Sequence, residues 1–343
     1  LQVLVGATPW RFKSSPRHQL TCSIQPDIPR RHAAAGYHRR VLAIILSTPA
    51  PEIIALRCGR LQLELVPATG GSVASFTRDG QPLFRISTAT ARQGREPLAL
   101  AGFPLLPFAS RIIGNEFEWQ NSKITLAPNV PGEPFAIHGQ GWRRAWDLVS
   151  ASARRCELTL DHPSDCSAEN AGDGWPWHYR AELVFELSES ALRLSMAVTN
   201  LSDSDMPAGL GWHPYIHRGD ATLTVRTEGR IRGAGDPAGG RRIPHQGFTS
   251  AAIADLDVDH GFYGWNRTAE IDWPARGVSL SITAQPPLDF LLIYTPPGED
   301  YFCVEPVSNL PDAANWQDAL ANGWRALQPG KTLQAAIELR VRG

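Results

Sequence analysis

From about residue 56 onward the chain is a close succession of short apolar runs, broken every few positions by glycine, proline, asparagine or aspartate. This punctuation constrains the fold more than any other feature. Successive side chains of a strand point to opposite faces, so strict alternation of apolar and polar residues marks a segment with one buried face. Leu61, Leu63 and Leu65 alternate with Gln62 and Glu64 in this way. The stretch from Val73 to Phe84 brackets Asp79-Gly80, which suits a hairpin turn. A second hairpin is expected where Phe117-Glu118-Trp119 leads through Gln120-Asn121-Ser122 into Ile124-Thr125-Leu126. Further strands are expected at 156–160, 181–187, 191–198, 221–226, 278–283, 290–294, 302–304 and 333–341. Long amphipathic helical patterns are absent, and one short helix is expected between Asp312 and Asn322.

So many strands exceed a small sandwich, and no linker-like composition divides residues 56–343. The expected fold is therefore all-β, a large single-domain β-sandwich. No blade-length repeat appears, which weighs against a propeller. Glycine- and proline-rich segments at 129–141, 163–177 and 233–247 read as long loops, where function concentrates. Residues 1–55 are different, with many arginines, histidines and prolines and no sustained periodicity. They are expected to be a disordered or mis-annotated N-terminal extension. Val41 to Leu46, behind Arg39-Arg40, offers an export signal as the alternative.

Hydrophobic residues make up 43% of the chain and charged residues 20%, enough for a sizeable core, and the formal net charge is −1. That balance argues against nucleic acid or an anionic membrane surface as a partner. No apolar run approaches the length of a membrane span. Cys22, Cys58, Cys156, Cys166 and Cys303 are odd in number and show no metal-type spacing. They read as free thiols in a reducing compartment, so a cytoplasmic location is expected.

Two short segments hold proton-handling groups on rigid, apolar backbone: Gly211-Trp212-His213-Pro214-Tyr215 and Val304-Glu305-Pro306. An imidazole and a carboxylate in such settings suit general acid–base catalysis, because partial desolvation moves both toward neutral pKa values. His213 alone also reads as a structural histidine. Its aromatic neighbours Trp212 and Tyr215 suit the apolar faces of a sugar ring. Glu305, at the end of an apolar run, is either functional or paired with an arginine. Arg111 closes the run Phe103 to Arg111 and is either a donor to sugar hydroxyls or the partner of a buried carboxylate, Glu305 included. His138 precedes Gly139 in a glycine-rich turn that lets backbone approach a ligand closely. Asp259 is either a ligand for two sugar hydroxyls or an ordinary turn aspartate. No nucleophile signature, metal-ligand spacing or dinucleotide glycine fingerprint is visible.

Six segments together resemble the aldose 1-epimerase (galactose mutarotase) family between about Leu61 and Arg340. They are Gly70-Gly71-Ser72-Val73, Pro107 to Ile112, Ile137-His138-Gly139, Gly211 to Tyr215, Val258 to Phe262 and Val304-Glu305-Pro306. The resemblance implies a sandwich of the galactose-mutarotase-like type. It implies Glu305 as general base, His213 as general acid, and Arg111, His138 and Asp259 as ligands of sugar hydroxyls. The implied reaction interconverts the α and β anomers of a free aldohexose, such as galactose or glucose, by ring opening. It needs no cofactor and no metal, and the implied partner is a monosaccharide bound by a monomer or homodimer. Ser110 stands where many members carry asparagine. Gly102-Phe103-Pro104-Leu105 replaces the C-W-P-type segment of the branch acting on hexose 6-phosphates, which favours an unphosphorylated sugar. The alternatives are a hexose-6-phosphate mutarotase, a non-catalytic carbohydrate-binding protein, and a glycoside-processing enzyme using Glu305 with Asp259. His213 and Glu305 are expected on opposite sides of one pocket, about a sugar ring apart.

Overall fold

Two large sheets take up most of the alternating segments. The computed structural model describes residues 51–164, 173–231 and 241–343. The extension as far as residue 50, Cys22, Cys166 and parts of the loops at 163–177 and 233–247 lie outside the described residues. The first strand, Ile54–Cys58, opens two residues before the expected start of the β pattern.

One sheet has twelve strands and the other nine. The twelve-stranded sheet runs in space from Ile54–Cys58 through Leu61–Val66, Ser72–Arg78 and Gly102–Leu105 to its centre. There Gly211–Pro214 lies beside Tyr301–Val307, followed by Phe290–Tyr294 and Asp259–Tyr263. The nine-stranded sheet is built around the long strands Tyr179–Leu187, Ala191–Asn200 and Thr332–Arg342. The all-β sandwich is thus as the sequence leads one to expect. Between the sheets, Phe76, Trp212, Ile293 and Val304 from the first pack in one apolar cluster with Leu183, Leu194, Ile282 and Ile337 from the second.

Strand parity then sends the intervening residues the other way. Phe103, Leu105, Leu292, Cys303 and Val307 form a second apolar cluster on the outer face of the first sheet. Val130, Ile137 and Trp142, from the loop region after the Glu116–Thr125 hairpin, cover them. The centre of the first sheet is therefore buried on both faces. Gly102–Leu105 and Gly211–Pro214 are buried at every position.

Two expectations change. The segment from Asp312 to Asn322 holds only a short 3-10 turn, Ala313–Asn315, and no α-helix. Asp312 takes a left-handed φ of 57°, and its carboxylate accepts from the backbone N–H of Ile113 rather than capping a helix. Trp212, expected to face a sugar, points into the inter-sheet core. Its ring meets Phe185 of the second sheet edge-on, with centroids 6.0 Å apart. The cause is alternation: neighbours on a strand cannot share a face, so a site that takes His213 excludes Trp212.

Trp212→Ala should accordingly lower the unfolding free energy by about 3–5 kcal/mol, as expected for a large aromatic removed from a packed core. Urea denaturation measures it, and a loss under about 1 kcal/mol would contradict the placement of this side chain.

Candidate active site

The register of two neighbouring strands brings the acid–base candidates together. Gly211 pairs with Val307, antiparallel. Carrying that register two residues further sets His213 beside Glu305, both on the loop-covered face. Nε2 of His213 lies 3.5 Å from Oε1 of Glu305. The two are in contact, not a sugar ring apart, because adjacent strands bring facing side chains within about 5 Å of each other. Both are buried, with 8% of His213 and 3% of Glu305 exposed.

Burial governs their protonation. It raises the Glu305 carboxyl well above its ordinary range, the charge of Asp259 pushes it further, and the Arg111 guanidinium opposes both. Burial, with the Arg85 guanidinium adding to it, pulls His213 down to about 3. His213 Nδ1 and Glu305 Oε2 are buried without a hydrogen-bond partner. Unpartnered buried polar atoms are rare in folded proteins and call for an explanation, often a functional one.

Arg111 and His138 are fixed by the same local structure. Arg111–Ile112 pairs with Ala136–Ile137 in a small ladder. The Arg111 carbonyl accepts from the N–H of Asp312 at 2.9 Å, and its Nε donates to Glu133 Oε2 at 2.9 Å. His138 and Ser110 both have left-handed φ, 64° and 63°. Such backbone is uncommon outside glycine and needs support. Each supports the other: His138 N–H donates to the Ser110 carbonyl at 2.9 Å, and Ser110 N–H donates to His138 Nδ1 at 3.1 Å. Nδ1 is thereby an acceptor, so the neutral ring carries its proton on Nε2. Burial, then the charges of His213 and Arg111, hold this ring neutral. It meets the His213 ring edge-on, centroids 5.4 Å apart. Gly139 follows with φ 67°, and a Cβ there would sit 2.2 Å from the Leu106 carbonyl oxygen.

Asp259 is a strand residue rather than a turn aspartate. It pairs with Tyr294, which in turn pairs with Cys303, one row from Glu305. Its side chain is solvent-exposed, although neighbouring protein surrounds the carboxyl closely. That crowding raises its carboxyl, with the Arg111 charge acting against it. Tyr215 shares the face of His213, their ring centroids 4.7 Å apart.

Four further residues contribute. Phe103 tilts against the His213 ring at 4.7 Å and stacks on Trp142 at 5.1 Å. Arg85 lies over the Tyr215 ring, 3.7 Å from its centroid. Glu133 holds Arg111, and Cys303 shares the face of Glu305. The alternation of the strand carrying Glu305 would have found Cys303. Nothing local marks Arg85 or Glu133. A separate cavity of about 520 Å³, lined by Trp119, Gln120, Trp177 and His178 among others, contains none of the candidate residues.

The model of the family described as aldose 1-epimerase matches residues 60–340. An uncharacterized Escherichia coli (strain K12) protein, YphB, is 30% identical over 307 residues, covering 84% of this chain and 98% of its own. A second from the same strain, YihR, is 24% identical over 296 residues, covering 79% of this chain and 91% of its own. A solved structure from Escherichia coli K12, provisionally described as an aldose 1-epimerase, superposes with a TM-score of 0.75 at 29% identity, over 85% of this chain and 99% of that one. A galactose mutarotase-like protein from Clostridium acetobutylicum shares the fold with a TM-score of 0.77 at 17% identity, over 85% and 96% of the two chains.

The Gly139 turn gives a direct check on how the site backbone is held. Gly139→Ala should destabilise the protein by more than about 1 kcal/mol, since alanine at positive φ is strained even without the clash. An unchanged denaturation midpoint would show that the close approach to Leu106 is not maintained.

Proposed function

Because the chain belongs to the aldose 1-epimerase family, we propose that it is an isomerase that interconverts the α and β anomers of a free aldohexose such as galactose or glucose. The observation that most supports this reading is the buried contact between His213 and Glu305, 3.5 Å apart. The anomeric hydroxyl O1 and the ring oxygen O5 are bonded to the same carbon. A base and an acid side by side can therefore serve them together, each within about 2.6–3.2 Å of its oxygen.

In the forward direction Glu305 takes the proton of the O1 hydroxyl and His213 gives one to O5. The C1–O5 bond breaks, its electron pair stays on O5, and C1 becomes an aldehyde. Rotation about C1–C2 presents the other face of the carbonyl. O5 then attacks, returning its proton to His213, while O1 regains one from Glu305. No atom is gained or lost, and no redox partner is required. Arg111, the Nε2–H of His138 and Asp259 hold the remaining hydroxyls, which keeps the open chain in place between the two steps.

The proton inventory fits this cycle. A Glu305 carboxylate with a His213 imidazolium carries the same number of protons as a neutral carboxylic acid with a neutral imidazole. Burial favours the neutral arrangement, since it raises Glu305 and lowers His213. The Arg111 charge, which favours the carboxylate, pulls the proton back toward His213. One shared proton thus persists over a broad range, and the pair titrates as a unit.

Polarimetry of fresh α-glucose and α-galactose provides the test. Glu305→Gln and His213→Asn should each lower kcat/KM by about 10²–10⁴-fold while remaining folded. Folded variants with wild-type rates would sink the assignment, and saturable sugar binding without rate enhancement would favour a binding protein. Anomer-exchange NMR across free and 6-phosphorylated sugars reads the substrate class.

The pH profile is a second check. His213 is neutral above about 3, and Glu305 keeps its proton to well above the ordinary carboxyl range. Between those limits the pair holds one proton. The rate should therefore show no acid limb near pH 6.5, where an isolated imidazole titrates. It should fall on the acid side only as a second proton joins the pair, near His213's value of about 3. An acid limb centred near pH 6.5 would contradict the shared-proton arrangement.

A further inference from the structure

Cys303 is a buried group that the proposed sugar chemistry leaves unused. It lies two residues before Glu305 on one strand, so both side chains are on the site face. One donor atom each from His213, Cys303 and Glu305 fall within 4.8 Å of one another. All three residues are more than nine-tenths buried: Cys303 is 0%, His213 8% and Glu305 3% exposed. Within the group, His213 Nδ1 and Glu305 Oε2 have no hydrogen-bond partner.

We propose that His213, Cys303 and Glu305 form a binding site for Zn²⁺, and that an ion held there excludes sugar turnover. One imidazole nitrogen, one thiolate and one carboxylate are donors that zinc accepts together, and three protein ligands leave a fourth position open. Zinc bonds of about 2.0–2.2 Å to nitrogen and oxygen place those two atoms roughly 3.4 Å apart in a tetrahedron. The separation of His213 Nε2 and Glu305 Oε1 is 3.5 Å. The Cys303 sulfur lies farther out, within 4.8 Å of the others, and must move inward by roughly 1 Å to complete the set. Charge also fits, because a thiolate and a carboxylate together neutralise a divalent ion in a poorly hydrated cleft. Asp259 favours the cation, whereas Arg85 and Arg111 oppose it.

Zinc takes the thiolate, the carboxylate and the neutral imidazole, so binding the ion displaces protons to solvent.

Co²⁺ reports on the ligands directly. Added to the full chain, it should produce a thiolate-to-cobalt charge-transfer band in the near ultraviolet, which Zn²⁺ then abolishes by displacement. Cys303→Ser should lose the band, and Glu305→Gln should weaken cobalt binding at least tenfold, with folding followed by circular dichroism. Calorimetry of zinc binding in buffers of different ionisation enthalpy should show net proton release. A band that survives in Cys303→Ser, or no band at all, overturns the site. The exclusion of turnover rests on the proposed reaction, whereas metal binding does not. Mutarotation without zinc binding or inhibition removes the metal site alone. A cobalt band in a protein with no mutarotase activity removes the reaction alone.

Discussion

The pairing of Gly211–Pro214 with Tyr301–Val307 is the contact on which the rest of the site depends. It joins two segments almost a hundred residues apart in sequence, and its register decides which side chains face which way. Trp212 and Val304 go into the core between the sheets, and His213 and Glu305 go to the outer face. A slip by one residue would exchange these sets. It would place an imidazole and a carboxylate in the sandwich core and a tryptophan in the cleft. The inter-sheet core therefore enforces the geometry of the acid–base pair, at no cost in flexible loop. Gly211 assists, because a Cβ there would lie 2.8 Å from a methyl of Val307 and push the strands apart.

A strand buried on both faces also sets the electrostatics. In a sandwich of ordinary depth the outer face of each sheet is wet, and a glutamate there keeps its usual pKa. Here the outer face is roofed by Trp142 and its neighbours, and carries Phe103 and Tyr215 beside the histidine. Desolvation is the largest cause of the shifts at Glu305, His213 and His138 alike. The same apolar surroundings that hold the rings in place hold the proton between two poor homes. Burial favours that proton on the Glu305 carboxyl beside a neutral His213 ring, while the Arg111 charge acts the other way.

Legibility in the sequence followed burial. Strands with one wet face, such as Tyr179–Leu187 and Ala191–Asn200, alternate cleanly and were readable to within a residue or two of their ends. Gly102–Leu105 and Gly211–Pro214 do not alternate, because both of their faces are covered, and nothing in their periodicity marks them as strands. The candidate residues His213, Glu305, Arg111, His138 and Asp259 stood out one by one as residue types in unusual settings and through family resemblance. Trp212 misled because aromatic neighbours in sequence are not neighbours in space on a strand. Glu133 and Arg85 were illegible for another reason. Their partners, Arg111 and Tyr215, are chosen by loop and strand packing that no local pattern encodes.

Positioning in this cleft is shared between two kinds of support, and they fail differently. The acid–base pair sits on central strands whose hydrogen-bonded neighbours lie on either side. Arg111 and His138 sit on a two-residue ladder and a pair of left-handed residues that sustain each other. Strained backbone of that kind costs roughly 1–3 kcal/mol per residue and persists only where its surroundings over-determine it. Here the determination comes from the Ser110–His138 exchange, the Asp312 N–H on Arg111, and Asn309, whose amide brackets both backbone groups of Ala109. Disturbing that web moves Arg111 and His138, the proposed hydroxyl ligands, while leaving His213 and Glu305 in register. In a mutarotase that would separate binding from chemistry, weakening hold on the open-chain sugar before it slows bond breaking.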